Sequence, residues 1–530
     1  MRAPRLLALI LAAQLMVVAT AAAAPPHAGS VDRSFGTNGR VKLSLPGERV
    51  RPSAVLVQPD GRIVVAGTLV APGQYSYRGP AFAARFEADG ELDTGFGENG
   101  VARVASSTPL AIDGAALQPD GALLLSGTTT PEGGSILGAV VRLSAAGHVD
   151  EGFGSGGIAR IPPAGVNPYP PGVQQLSHVA AMPDGRIVAA GSQDSFDPHT
   201  ASEPYVVRLM RDGTPDTGFG GEGRASIGTS NPIALLVRPN GEVVIVGWDE
   251  RFFGGTDLNL LRLGADADPS PAFASHSYRS WVRGIAASLR PDGTIAFVGE
   301  MITSPGKRVA RRWIARALIG PELQLLERGK VATTGFVAAT FDRRGAVLTA
   351  GPWLAEAEMP PWQIARYRDI RRHDLSFGDR HGNRLVNIDP PSGSSYTGTA
   401  DLTGLAMQGA KLIVAGYSHP SRQPNDGQSL TLIRLNARQD ESGPRLDVSG
   451  LPHRRCQAGT TELVVHARDE SRTTTRAWID RRRLARSTRH RFRTELDATK
   501  LKPGRHRLRI RSHDAAGNLG ARSWTVRVCG

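Results

Sequence analysis

Seven arginines near the C-terminus recur at every second position: Arg489, Arg491 and Arg493, then Arg505, Arg507, Arg509 and Arg511. On β-strands, side chains two apart share a face, so each set aims its guanidiniums one way. If both strands lie in one sheet, the seven form a single cationic surface beside residues 481–483. Such a surface attracts polyanions through long-range potential and counterion release, and guanidinium matches phosphate bidentately. The last 86 residues hold 21 Lys and Arg against 8 Asp and Glu, so they carry nearly all of the formal charge of +14.

Groups suited to acid–base work are sparser. Asp113, His178, Asn231 and Arg283, with Ser53 and Thr403, each fall near the start of a recurring apolar run, where a ring of strands would open its central channel. They could handle a polar ligand. A hard cation wants several oxygen ligands, and this set offers one carboxylate, so no metal site is assigned. The glycine cluster at 152–157 opens no amphipathic helix, which removes the context of a phosphate loop. No nucleophile elbow is present. No catalytic residue is assigned and no cofactor is expected.

The elements that must position these groups come from a repeat, clearest at 53–104. Two apolar runs flank the turn Pro59-Asp60-Gly61. Proline presets φ, aspartate bonds the backbone and glycine accepts positive φ, so the pair reads as a hairpin. A third run follows at 81–86. A turn through Asp93 and Phe96 then leads to a fourth at 101–104. The hairpin glycine returns as Gly61, Gly121, Gly185, Gly241, Gly293, Gly345 and Gly409, at intervals of 60, 64, 56, 52, 52 and 64 residues. An arginine in the third run returns as Arg85, Arg142, Arg208, Arg262, Arg316, Arg366 and Arg434. Both markers count seven. The aromatic of the later turn is Phe35, Phe96, Phe153, Phe219, Phe273 and Phe377.

The first aromatic, with the strand at 40–45, precedes the first full unit, and no fourth strand follows the seventh third strand at 430–436. A ring closed by the orphan strand accounts for both ends and leaves no open edge. The fold is therefore expected to be all-β: a seven-bladed β-propeller over 31–438. The recurring Asp32, Asp93, Asp150, Asp216 and Asp374 sit before Phe-Gly turns, where backbone capping explains them better than calcium. The strand arginines are expected to pair with blade neighbours or lie at the solvent edge.

The segments SFGTNGRV, QPDGRIVVAG and FAARFEADGELDTGFG resemble the delta-60 repeats of exported bacterial proteins. The resemblance covers about three quarters of the chain and implies a propeller-like β fold, with no established catalytic residues to carry over. The fifth and sixth units depart from its pattern.

At the N-terminus, Arg2 and Arg5 precede an apolar stretch over 6–18, followed by small residues at 21–24. Residues 1–24 read as a secretory signal, 25–30 as a short linker. After the ring, 439–446 reads as a linker and 447–530 as a small basic β-sandwich that loosely resembles Ig-like modules of bacterial surface proteins. Cys456 and Cys529, the two cysteines of the chain, bracket it. In an exported chain they are expected to form a disulfide.

The connections that vary in length alternate with short turns, so they gather at one end of the ring. Tyr75, Tyr77, Trp248, Phe252, Phe253, Trp353 and Tyr417 collect there. Aromatic rings beside polar groups suit sugars or peptides. With Asp113, His178, Asn231 and Arg283, Trp248, Trp353 and Tyr417 form the expected ligand-binding set. The favoured function is a non-enzymatic binding protein, exported and held at the bacterial cell envelope. Its partner would be an envelope polysaccharide, another polyanion or a surface protein rather than a nucleic acid. The alternatives are a propeller hydrolase or lyase acting at the channel mouth, and a purely structural envelope protein.

Overall fold

The computed structural model describes residues 28–71, 79–131, 135–162, 171–195, 203–227, 231–250, 256–263, 272–278, 281–289, 293–303, 311–320, 325–333, 338–342, 345–352, 362–367, 374–378, 383–386, 400–418, 429–437, 444–451, 456–468, 473–489, 491–513 and 519–530. The signal assigned to 1–24 lies outside them. Among the described residues no helix is long and apolar enough to cross a membrane.

The chain is all-β and propeller-like, built largely from four-stranded antiparallel sheets. A first strand, β1 (Arg40–Leu43), precedes them. The first sheet takes β2 (Arg49–Val57), β3 (Ile63–Val70), β4 (Ala81–Phe86) and β5 (Val101–Val104) in order. The second takes β6 (Leu110–Leu117), β7 (Leu123–Thr129), β8 (Leu137–Leu143) and β9 (Ile158–Ile161). The third takes β10 (Pro171–Ala181), β11 (Ile187–Ser195), β12 (Glu203–Leu209) and β13 (Arg224–Ser226). The fourth takes β14 (Asn231–Val237), β15 (Val243–Glu250), β16 (Thr256–Leu263) and β17 (Ala272–Tyr278). The fifth takes β18 (Trp281–Leu289), β19 (Ile295–Thr303), β20 (Arg311–Ile319) and β21 (Leu325–Thr333). The sixth takes β22 (Ala338–Phe341), β23 (Val347–Pro352), β24 (Trp362–Tyr367) and β25 (Asn383–Val386).

The next sheet joins the two ends of this region. It takes β26 (Ala400–Gln408), β27 (Lys411–Ser418) and β28 (Ser429–Asn436), and its fourth strand is β1, in the order β1-β28-β27-β26. Arg40 stands opposite Ile433 and Leu43 opposite Leu430. The first strands of successive sheets touch in a cycle, from β2 through β6, β10, β14, β18, β22 and β26 back to β2.

Local chemistry explains the recurring hairpin. Gly61 donates to the Gln58 carbonyl at 2.9 Å and holds φ at +92°, while Asp60 Oδ1 accepts from the Arg62 amide at 3.0 Å. Equivalent bonds run from Gly121 to Gln118, Gly185 to Met182, Gly241 to Arg238 and Gly345 to Asp342. Strands β3 and β4 are buried along their whole length, on both faces. That suits strands covered by neighbouring sheets on either side and explains their continuous apolar runs.

The recurring aspartate does more than cap a turn. Asp93 Oδ1 accepts from the Gly95 amide at 3.1 Å, and Oδ2 accepts from Arg85 Nε at 2.6 Å. The same guanidinium lies 4.5 Å from the Phe96 centroid and donates through Nη1 to the Ala145 carbonyl of the second sheet at 2.6 Å. Arg142 repeats this with Asp150, Phe153 and the Arg211 carbonyl, and Arg208 with Asp216 and Phe219. Where the chain closes, Arg434 on β28 takes Asp32, Phe35 and the Ala88 carbonyl, so the two ends of the region supply one clasp. A glycine of the neighbouring sheet completes three of these contacts. A Cβ on Gly90, Gly147 or Gly213 would come within 2.8 Å of the ring of Phe35, Phe96 or Phe153. Arg85, Arg208 and Arg434 are thus buried in pairs, and Arg142 is paired and partly buried. A carboxylate can hold two roles at once because it has about four acceptor sites.

Two expectations need correction. Phe273 does not sit in a turn: it lies on β17, opposite Leu261, because the outer strand of the fourth sheet runs seven residues instead of the four of β5 and β9. The C-terminal region begins its first strand at Arg445, inside the segment read as a linker. The Leu446 side chain is buried there, which draws the chain into the fold before residue 447.

Removing Asp32 should uncouple the closure. Asp32→Asn leaves Arg434 and Lys411 without their shared carboxylate. Breaking such a covered pair should cost about 3 kcal/mol, read as a lowered urea midpoint. Deleting residues 25–46 should go further, exposing the β28 edge and causing aggregation. A truncated chain that melts with unchanged cooperativity would contradict this role.

Acid should weaken the same contacts. Burial alone would raise the Asp32 carboxyl, but Lys411, Ser34 and Arg434 outweigh it and hold the group at about 2, below the ordinary 3.8. Asp93 and Asp216 are also lowered: burial opposes the change, while arginine partners and backbone amides produce it. The folded chain therefore binds fewer protons than the unfolded one in this range. The stability these groups contribute is fully present above their unfolded value near 3.8 and, for Asp32, is lost as pH falls through about 2. Thermal melts should show stability declining most steeply from about pH 4 to about pH 2.

Candidate functional site

The first strands of six sheets carry the same irregularity. Pairing skips one residue between Pro52 and Ala54, Ile112 and Gly114, Leu176 and His178, Pro232 and Ala234, Gly284 and Ala286, and Leu402 and Gly404. The residues set out of register are Ser53, Asp113, Ser177, Ile233, Ile285 and Thr403. A bulge re-aims its extra side chain and bends the strand. The facing strand makes room with glycine. A Cβ on Gly67, Gly127, Gly191 or Gly416 would meet a backbone oxygen of the bulged strand at 2.1, 1.8, 1.7 or 2.3 Å.

The expected channel residues coincide with the bulges at three of six positions. Ser53, Asp113 and Thr403 are bulge residues as placed. His178 is one position late, and Asn231 and Arg283 are two positions early. The last two pair regularly across their sheets, with Trp248 and Glu300. Periodicity alone does not locate a one-residue register shift. The glycine ending each VVAG-like motif, at Gly67, Gly127 and Gly191, is the signal that could have located it.

These positions link adjacent sheets. Asp113 Oδ2 accepts from Gln175 Nε2 at 3.1 Å, joining the second sheet to the third. Thr403 Oγ1 donates to the Pro52 carbonyl, joining the closing sheet to the first. Burial pushes the Asp113 carboxyl up, with Gln175 and the charge of Arg51 pulling it back. Burial also drives His178 down to about 4, against a bond with the Ile233 backbone, so its ring is neutral near pH 7. Both side chains keep partial contact with solvent. His178 Nδ1 stands 2.9 Å from Ser177 Oγ.

Serine, histidine and aspartate thus occur near one another without forming a relay. The partner of Asp113 is Gln175, and His178 turns to Ser177 and the Ile233 backbone. Among the described residues the histidine is held by the Ile233 backbone, and no carboxylate bonds to it. Among the described residues no cluster of three or more His, Cys, Asp or Glu gathers where it could hold a metal ion. The arrangement can offer hydrogen bonds to a polar ligand.

Of the remaining expected ligand contacts, Tyr417 is half-buried on β27, opposite Asp401 and Leu430. The side chains of Asn231, Trp248 and Arg283 lie outside the described residues, as do Tyr75, Tyr77, Phe252, Phe253 and Trp353 altogether.

The basic C-terminal region forms two facing sheets. One takes β29 (Arg445–Ser449), β30 (Thr460–Arg468) and β33 (Arg491–Asp497). The other takes β32 (Arg482–Ser487), β31 (Thr474–Ile479), β34 (Gly504–His513) and β35 (Leu519–Val528), in that order. Leu446, Val465, Ala477 and Ile510 pack between them, as do Leu463, Ile479, Leu496, Leu508 and Val526. Cys456 and Cys529 form a disulfide with Cα atoms 5.0 Å apart.

This layout divides the seven arginines. Arg491 and Arg493 lie on β33, with Arg489 just before it, whereas Arg505, Arg507, Arg509 and Arg511 lie on β34 in the facing sheet. With the apolar faces turned inward, the two sets point outward in opposite directions. They do not make one surface. Arg493 is moreover near Glu462, at 3.4 Å.

Residues 58–96, 118–153, 183–219 and 238–269 match a family model described as "Domain of unknown function (DUF5122) beta-propeller". The first three segments each run from the hairpin turn to the phenylalanine of the clasp, so the chain carries propeller-like repeats. No curated protein matches the sequence. Among solved structures, an alpha-L-arabinanase of Penicillium chrysogenum complexed with arabinobiose is 14% identical, covering 60% of this chain and 92% of its own, at a TM-score of 0.35. A protein of unknown function from Dyadobacter fermentans is 11% identical, covering 76% and 100%, at 0.37. A GH43_1 enzyme of Xanthomonas citri complexed with xylotriose is 11% identical, covering 51% and 88%, at 0.25. At these scores the likenesses carry no argument about activity.

The disulfide closes a loop of 73 residues. Reducing it, or Cys456→Ser, should destabilise the C-terminal sheets by about 4 kcal/mol on the chain-entropy account. Hydrogen exchange should show β30, β34 and β35 losing protection while β3 and β4 keep theirs.

Proposed function

We propose that the chain is an exported, non-enzymatic binding protein of the bacterial cell envelope. Residues 31–438 act as a seven-bladed propeller of delta-60 type, and the C-terminal β-sandwich as an Ig-like basic module. The cyclic contact of the seven first strands and the closure of the last sheet by β1 support the ring. The propeller presents its polar inner rim and the neighbouring long loops to a polymer or surface protein. The basic module aids retention on an anionic surface.

The observation that carries this reading is the inner rim. Four of the six bulge residues, Ser53, Asp113, Ser177 and Thr403, are polar, and they include one carboxylate, Asp113, bonded to Gln175 rather than to a histidine. Such a rim offers recognition and lacks an assembled relay. Envelope polysaccharides are the preferred ligand class, because hydroxyl-rich chains suit partly covered amide, hydroxyl and imidazole groups.

The test incubates the mature chain with insoluble envelope polysaccharide and measures both retention and release of soluble fragments. Retention without fragments is expected, weakened severalfold by Asp113→Ala together with Gln175→Ala. Steady release of fragments, abolished by Asp113→Asn, would establish the hydrolase or lyase alternative instead. An absence of retention from any envelope fraction would leave the structural alternative.

A further inference from the structure

The outer face of the β32-β31-β34-β35 sheet is unusually crowded with like charge. Cross-strand register places Arg486, Arg476 and Arg511 in one row, and Arg483, Trp478 and Arg509 in the next. Arg507 stands opposite Thr525, and Arg505 opposite Arg527. Alternating burial confirms the outward direction: Ala477, Ile479, Leu508, Ile510, Val526 and Val528 are buried, and the residues between them are partly or fully exposed.

Eight arginines therefore share one sheet face. Among the described residues none of the eight pairs with a carboxylate, and Arg507 bonds through its side chain to Ser523 Oγ. Like charges directly opposite one another on a sheet cost stability. Among the described residues no carboxylate offsets that cost here, unlike Arg85, Arg142, Arg208, Arg366 and Arg434 of the propeller-like sheets, each set against an aspartate.

Trp478 lies inside this array. It is half-exposed on the outer face, with Arg483 on one side and Arg509 on the other. A flat apolar ring flanked by guanidiniums matches a ligand that alternates apolar ring faces with anionic substituents. A pyranose offers its C–H face to an indole, and carboxylate or sulfate groups suit bidentate arginine. Along β34, Arg505 to Arg511 span about 20 Å, enough for several sugar residues of an extended chain.

We infer that this face is a binding surface for an anionic polysaccharide, with the chain laid along β34 and one sugar ring stacked on Trp478. The inference rests on the proposed retention on an anionic surface and assigns it a face and a ligand chemistry. Arg491 and Arg493, on the opposite sheet, take no part.

The experiment uses the full mature chain with heparin as the sulfated, uronate-bearing probe and polygalacturonate as the purely carboxylate one. Inorganic polyphosphate serves as an anionic polymer without sugar rings, and phosphatidylglycerol vesicles as a membrane. Binding to at least one of the two polysaccharides should weaken steeply with salt, and whichever binds tells sulfate from carboxylate. Trp478→Ala should lower polysaccharide affinity about tenfold while leaving polyphosphate binding nearly unchanged. The triple variant Arg476→Gln/Arg509→Gln/Arg511→Gln should reduce the salt slope by about three, on the expectation of about one per contacting arginine. Arg491→Gln/Arg493→Gln should leave both unchanged, and the circular dichroism of each variant checks folding.

Equal losses from the two arginine sets would overturn the assigned face while leaving anionic retention intact. Tighter binding to vesicles than to either polysaccharide, insensitive to Trp478→Ala, would overturn the ligand class. No binding to any of the four probes would remove both this inference and the retention on which it rests.

Discussion

An aspartate that serves two partners holds the propeller-like region together. One oxygen fixes the turn in which it sits, and the other fixes an arginine on the strand before it. The guanidinium, flattened over a phenylalanine, reaches a carbonyl of the next sheet. A buried guanidinium is costly unless its charge is balanced and its donors are filled. Here the geometry does both, and the same group that stabilises one sheet orients it against its neighbour. The repeat can therefore vary widely in its connections while the angle between sheets stays constrained.

The departures from the pattern obey the same logic. In the fourth sheet Glu242, from the hairpin, is a partner of Arg262. In the sixth, Arg366 reaches both Asp342 of the hairpin and Asp374 of the turn. The carboxylate can come from either turn because both lie at the same end of the sheet. What the fold requires is a negative charge beside the strand arginine, supplied from whichever turn provides it.

Much of this was legible in the residues. Pro-Asp-Gly turns marked the hairpins, the two recurring markers agreed on the number of units, and the orphan strand at 40–45 pointed to β1 beside β28. The meaning of the aspartates was half legible, since capping followed from their turns but the partner eight residues earlier did not. Period-two patterning told which face each arginine shared without telling which sheet would receive the strand. That is why Arg491 and Arg505 were grouped and then separated. The bulges were hidden for a related reason: each shifts register by one residue, and only the facing glycine records it.

Closure by β1 also bears on the order in which the molecule can be made. Arg40 leaves the ribosome early, and its partner Ile433 emerges only after all the other sheets of this region. Until then β1 has no ladder and the last sheet does not exist. The growing chain is a ribbon with an exposed end, and contacts so distant in sequence form slowly. Each finished sheet can lock to the one before it through that earlier sheet's arginine, so assembly proceeds from the N-terminal side as the chain appears. The final step is a meeting of the two ends, and the clasp of Arg434 with Asp32 is the latch that records its completion.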